Sequence, residues 1–478
     1  MTNVLLLWTD QQRFDSLACY GNDWLQMPHL NALAEHSTVF ERAYCTSPVC
    51  TPSRGSVLTG LMPHAHGARS NNKPLHAHTQ CLPELLGGDR ASGYVGKWHL
   101  GDEIYPQHGF DEWVASEDGY QDFFSPQRNP DDRSPFHHHL LAKGYEPDKR
   151  NFFPRNWTML LPERDSKPAF ISDHAIDFVS RHQDQPWVLS VNTLEPHHPL
   201  MGPLADHLTP DDVPLGPNFL HDGGGKEPLP LLIDRARWAN EGIDGFHLQT
   251  AESWKNMAAH YWGQCHHVDR QYGRLLQALH DSGQYDDTLI IFCSDHGENM
   301  GSHGLFGKHS PHDTSARIPF LVKLPGQREQ RRISQPVSLV DVTPTVIDVL
   351  GGSIPDGLHG RSLLPCCRGE AIPERDVVVH WHRPKEPKPD SIKDYERPLA
   401  DPEAILAARG CSYRCLVTPE LEKFVYFITG DICLFDLKSD PDELTNIADQ
   451  VSNEHLQALT ARLKKRIAED DDDFVIPV

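Results

Sequence analysis

Nowhere in the 478 residues does an apolar run approach the roughly 20 residues that a bilayer-spanning helix needs, so no membrane partner is expected. The first apolar stretch, Val4 to Trp8, is only a few residues long. It has no basic segment before it and no small-residue cleavage site after it, so it reads as a first β-strand and the chain as cytoplasmic. Positive charge is scarce: 44 Lys and Arg face 67 Asp and Glu, a net charge of −23. A general binder of nucleic acid or anionic membrane would show the opposite balance. The same imbalance constrains any anionic substrate. Cations that hold it must be local, within about 8 Å, the Debye length at physiological salt. A disulfide framework is also missing, because the eleven cysteines are odd in number and irregularly spaced, with Cys366 and Cys367 adjacent. Gly (34) and Pro (39) are plentiful but scattered, which indicates ordered loops and no low-complexity tract.

What is present is a globular composition, 38% hydrophobic and 23% charged, in a chain long enough to bury a substantial core. Strand-like and helix-like stretches alternate, the pattern of an α/β fold with a large, mostly parallel sheet flanked by helices. Predicted strands are Val4–Thr9, Ser92–Val95, Trp187–Asn192, Thr288–Ser294 and Phe320–Leu324. Predicted helices are Pro28–Ser37, Ile171–His182, Glu252–Ser282 and Ser338–Leu350. Residues 120–168 and 196–250 break the rhythm; they are read as loop insertions, either walls of a site or plain surface. After about Pro365 come short strands, Val377–His380, Tyr413–Val417, Phe424–Ile428 and Ile432–Asp436, then an amphipathic helix, Glu454–Ala468. This gives two units: residues 1–365, and a smaller antiparallel α+β subdomain at 366–478. The acidic run Glu469–Asp473 is expected to be exposed and screened.

The most specific chemical signal is Cys50-Thr51-Pro52-Ser53-Arg54, continuing to Gly60. Pro52 suits the first turn of a helix, where its missing N–H costs nothing. Cys50 then stands at the helix N-terminus, where free N–H groups and the dipole favour an anion. Arg54, one turn on, can point back to the same place. The residues alone allow a reactive thiolate or an inert buried cysteine.

CTPSRGSVLTG resembles the signature of the type I, formylglycine-dependent sulfatases of the alkaline phosphatase superfamily. The resemblance extends to the opening strand with Asp10, to Gly96-Lys97-Trp98-His99-Leu100-Gly101, to Ser294-Asp295-His296-Gly297-Glu298, and to Leu434-Phe435-Asp436-Leu437 with Asp440-Pro441. It implies an alkaline-phosphatase-like sandwich and a hydrolase of sulfate esters. Cys50 would be oxidised to formylglycine (3-oxoalanine) by a formylglycine-generating maturation enzyme.

The resemblance also implies a metal site. Asp10, Gln11, Cys50, Asp295 and His296 are the expected ligands of one divalent cation. Both Asp residues follow strands, where loops of open α/β sheets converge. Members of the family typically carry Asp-Asp at the first position and often Asn after the later Asp; here the pairs are Asp10-Gln11 and Asp295-His296. The carboxylates suit Ca²⁺. The reduced charge and the nitrogen ligand keep Mn²⁺ or another transition ion open.

Lys97, His197 and Lys308 are the expected sulfate-binding residues, with Lys97 and His99 assigned to one side of an extended segment. His197 stands in a Pro-His-x-Pro element and Lys308 in a Gly-x-x-x-Lys loop, both similar to the family's. Asp313, where the family commonly has Glu, receives no role. In the implied mechanism Arg54 and the metal activate the formylglycine hydrate. Lys97, Lys308 and His197 stabilise the sulfuryl oxygens, His197 or Lys308 protonates the leaving alcohol, and His99 acts as base. The expected substrate is a sulfated small molecule or glycan, with a sugar sulfate first because the two insertions are rich in His, Arg and Trp. The alternatives are a phosphonate monoester or phosphodiester hydrolase with the same machinery, and a non-catalytic sulfated-glycan-binding relative.

Overall fold

Side-chain alternation in the first strand sets the layers. The protein is described by a computed structural model covering residues 2–120, 125, 128–383 and 387–476. In β1 (Asn3–Asp10) every residue is buried. Val4, Leu6 and Trp8 enter one apolar core, and Leu5 and Leu7 enter a second. A strand covered on both faces reads as a near-continuous apolar run, which is why LLLW announces it.

The main sheet adds β2 (Thr38–Phe40), β3 (Ala91–Gly96), β4 (Glu112–Ala115), β5 (Trp187–Pro196), β6 (Thr288–Ser294), β7 (Phe320–Lys323) and β8 (Arg331–Ile333). Its spatial order is β8-β2-β7-β6-β1-β5-β3-β4. β1 pairs in parallel with both β5 and β6. β7 runs antiparallel to both its neighbours, so the sheet is mixed at that position. An apolar run reveals burial but not direction, and the sequence could not show this reversal.

Helices cover both faces. On the Leu5/Leu7 side lie α1 (Pro28–Glu35), α3 (Lys167–Arg181) and the 31-residue α5 (Ala251–Asp281). The Thr250 side chain caps α5 by accepting from the Ser253 N–H, one of the orphan donors of a helix start. On the other side lies α2 (Cys50–Thr59), with Val57 and Leu58 in the core. The predicted helix Ser338–Leu350 is divided: Val337–Ser338 pairs as a short strand, Leu339–Asp341 is a 3₁₀ turn, and the α-helix spans Val342–Val349.

Both insertions contain structure. Residues 196–250 include α4 (Leu229–Glu241), which buries only Leu231 and Ile233 and therefore shows a weak apolar period. Residues 120–168 include helices Pro135–Ala142 and Arg155–Thr158; residues 121–124 and 126–127 of this stretch lie outside those described.

The last part of the chain forms a four-stranded antiparallel sheet of β9 (Val377–Trp381), β10 (Tyr413–Val417), β11 (Glu422–Phe427) and β12 (Ile432–Asp436), paired in sequence order. Val377, Val379, Cys415 and Val425 face the main core, while Val378, Leu416, Phe424 and Leu434 pack on Leu459 and Leu463 of α6 (Asn453–Glu469). The acidic run after α6 departs from expectation. Asp472 is buried and held by Arg414 at 2.6 and 2.8 Å, and Asp470 by Arg466 at 2.7 Å.

Candidate active site

Two adjacent parallel strands deliver the first carboxylates. Thr9 of β1 pairs in parallel with Ser294 of β6, so Asp10 and Asp295 emerge side by side at the carboxyl ends of the two strands. Arg54, fully buried on α2, bridges them. Its Nη2 donates to Asp10 at 3.0 Å and its Nε to Asp295 at 2.8 Å. Its Nη1 donates to the Lys97 carbonyl at 2.9 Å and to Asn192 Oδ1 at 3.3 Å. Burial opposes charge on Arg54, but Asp295 and Asp10 outweigh it and raise its pKa. Burial opposes charge on Asp10 as well, but Lys97 and Arg54 outweigh it and hold its carboxyl well below the usual range.

Cys50 begins α2, with Val49 as the N-cap. Its Sγ lies 3.2 Å from Lys308 Nζ, 3.3 Å from His296 Nε2 and 3.7 Å from Asp10 Oδ1. Burial and Asp10 oppose the thiolate, yet Lys308, Lys97 and His296 bring the thiol down from 9.0 to about 7.

Asp10, Cys50, Asp295 and His296 offer ligand atoms that all lie within 4.8 Å of one another. His296 Nδ1 faces the Gly297 carbonyl at 2.9 Å, which assigns it the proton and turns Nε2 to the cluster. Two carboxylates and one imidazole fit a divalent cation. Gln11 sits at the rim with φ 67, in the left-handed region. Its Oε1 accepts from Lys308 Nζ at 2.6 Å and its Nε2 donates to Glu298. Glu298 also accepts from the Gly307 and Met300 N–H groups, tying the Lys308 loop to β1.

Lys97 is fully buried and donates to Asp10. The close approach of its loop to β5 requires glycine beside it: a Cβ on Gly96 would stand 1.8 Å from the Asn192 carbonyl oxygen. Lys97 and His99 do not share a side through strand alternation. The backbone turns left-handed at His99 (φ 59), and Glu103 fixes the turn by accepting from the Trp98 and His99 N–H groups. The His99 ring stacks on Tyr120 at 4.0 Å. Burial, then Lys97 and Arg54, push His99 well below its ordinary pKa, leaving it neutral and able to accept a proton. His197 is lowered too, by burial, Lys308 and His198. Its Nδ1 faces the His198 carbonyl at 2.6 Å, so Nε2 is the acceptor nitrogen.

All ten residues singled out from the sequence thus lie in or beside one cluster. Sequence reading missed Asn192, Glu298 and Glu103 as its supports. Glu298 stands inside a quoted motif, but Asn192 and Glu103 show no signal separable from an ordinary polar residue. From Val49 and Lys308 a cavity of about 400 Å³ opens outward past α4 and Trp381.

The model of the family described as Sulfatase matches residues 2–353. The chain belongs to the sulfatase family. It is a sulfatase of the alkaline phosphatase superfamily, in which a metal ion and formylglycine are general. It is 28% identical to an arylsulfatase of Clostridium perfringens, across 93% of this chain and 90% of that one. It is 24% identical to an N-acetylglucosamine-6-O-sulfatase of Bacteroides thetaiotaomicron, across 98% and 88%. A phosphonate monoester hydrolase of Silicibacter pomeroyi shares the fold, with a TM-score of 0.78, 24% identity and coverage of 99% and 96%. The sulfatase therefore matches its relatives over nearly its whole length, small sheet included.

Proposed function

We propose that this sulfatase removes sulfate from a carbohydrate sulfate ester, with Cys50 matured to formylglycine and Ca²⁺ held by Asp10, Asp295, His296 and residue 50, Gln11 at the rim. The observation that carries the reading is the convergence of Lys308, His296 and Asp10 within 3.7 Å of the Cys50 sulfur, at the start of a helix. When present, the cation and the hydrated aldehyde supply an activated oxygen nucleophile for attack on sulfur. Arg54 fixes both carboxylates so that neither turns away. Lys97 and Lys308 face the developing charge on the sulfuryl oxygens. His99, neutral where it stands, would accept a proton from the matured, hydrated residue 50. His197 presents an acceptor nitrogen in the resting site, so the proton for the leaving alcohol is assigned to Lys308.

Cys50 is 1% exposed, so a formylglycine-generating partner would act before the chain closes. All eleven cysteines stand as free thiols, which suits a reducing, cytoplasmic setting. The test is turnover of matured enzyme on sulfated mono- and disaccharides, with an aryl sulfate and an aryl phosphonate as controls. Sulfate release that stops on chelation and returns with Ca²⁺ supports the reading. Faster hydrolysis of the phosphonate than of any sulfate ester overturns it in favour of a phosphonate hydrolase.

A further inference from the structure

The cavity beyond Lys308 reverses the sign of the molecule. Arg237, Arg383, Arg409 and Lys308 line it against one carboxylate, Asp234, in a chain of net charge −23. Two of these arginines are already paired. Arg237 Nε lies 3.0 Å from Glu241, and Arg409 Nε lies 3.0 Å from Glu396. Arg383 differs: its backbone N–H donates to Ser412, and among the described residues no hydrogen bond or close ion pair engages its guanidinium, although its charge is the first of the cations that act on Asp234. The cavity also has aromatic walls. Trp238 carries the Arg237 guanidinium 4.5 Å from its ring centre, and Trp381 packs on His309 at 4.5 Å. Burial lowers the His309 pKa, and Lys308, Arg383 and Arg237 lower it further, so these cations act at one place beside the nucleophile.

A planar guanidinium with free donors binds a carboxylate or a sulfate in two-point fashion. The Trp238 and Trp381 rings add apolar wall to the cavity, as a sugar ring among polar contacts requires. A volume of about 400 Å³ accommodates one further sugar unit rather than a bare ion. We propose that this cavity holds a second anionic group of the substrate, a carboxylate or a further sulfate, with Arg383 as its main partner. The substrate class is then an acidic or multiply sulfated saccharide. This assignment rests on the sulfatase reading for the scissile ester but not for the cavity itself.

The experiment compares kcat/KM on a monosulfated neutral disaccharide, its disulfated counterpart and a monosulfated disaccharide containing a uronate, for wild type, Arg383→Ala and Arg383→Lys. The wild type should favour one doubly anionic substrate by about tenfold or more, the size of a charged hydrogen bond. Arg383→Ala should erase that ratio and Arg383→Lys should retain part of it. Which substrate carries the preference identifies the anion. Equal wild-type rates on all three, or a preference that survives Arg383→Ala, would overturn the proposal. If no sulfate ester is turned over, the sulfatase reading fails separately. Calorimetric titration with an unsulfated uronate disaccharide and with a non-ester sulfonated analogue then decides the cavity. Binding lost in Arg383→Ala upholds the proposal, and no binding, or equal binding, ends it.

Discussion

Cys50 illustrates how far a single residue can be read. Its motif was legible because the residue types and their order are specific; its electrostatic setting was not, because Lys308 is 258 positions away. With its thiol brought down to about 7, metal-free, unmatured protein should alkylate at Cys50 with a rate that rises through pH 7. The measurement is peptide-resolved alkylation against pH. Lys308→Ala should move the midpoint upward, because it removes the largest of the lowering charges. In matured enzyme the same substitution should lower kcat/KM by about ten- to a hundredfold. A sugar sulfate should suffer more than an aryl sulfate, because its alkoxide leaves less readily without a proton. Gln11 and Asn192 show the limit at this scale. Their roles depend on partners from distant loops and from α2, and a lone amide in a sequence does not name its partner.

Strands were more legible than helices without a strong apolar face. The runs that became β1, β5 and β6 are buried on both sides, so burial itself wrote the pattern. Helix α4 buries two side chains and gave no such pattern, although it forms a wall of the cavity. The join between the small sheet and the catalytic body was equally silent. Lys423 on β11 is fully buried and donates to Asp313 and to Glu443, both at 2.7 Å. Asp313, which had no role by sequence, thus anchors the second sheet. Lys423→Ala should destabilise the protein by about 3–5 kcal/mol, because it leaves buried Glu443 without its cation and Asp313 with only the longer pairs to Arg42 and Arg317. Chemical denaturation followed by tryptophan fluorescence would show it; a loss under about 1 kcal/mol would mean that the network is solvated.

Net charge was the most visible property of the whole molecule and the most misleading in detail. The acidic C-terminal run appeared expendable, yet Asp472 is locked to Arg414 beneath the surface, while Asp473 remains exposed. Burial opposes the Asp472 charge, but Arg414 outweighs it and depresses its pKa, so its contribution is present at neutral pH and lost as pH falls into the acid range. Asp472→Asn should therefore lower stability at pH 7 and narrow the acid-side loss, whereas Asp473→Asn should do neither; urea titrations at pH 7 and pH 4 separate the two. Against a net charge of −23, Arg54 and Lys97 still meet on Asp10 and Asp295, and three arginines on the cavity wall.

The most direct test of the account is the dependence of sulfate-ester turnover on the fraction of residue 50 present as aldehyde. Preparations matured to different extents are assayed by peptide mass and by kcat/KM on one sulfated saccharide. kcat/KM should rise along a line through the origin, with Cys50→Ser protein at zero. Full turnover from protein whose residue 50 is entirely thiol would contradict it.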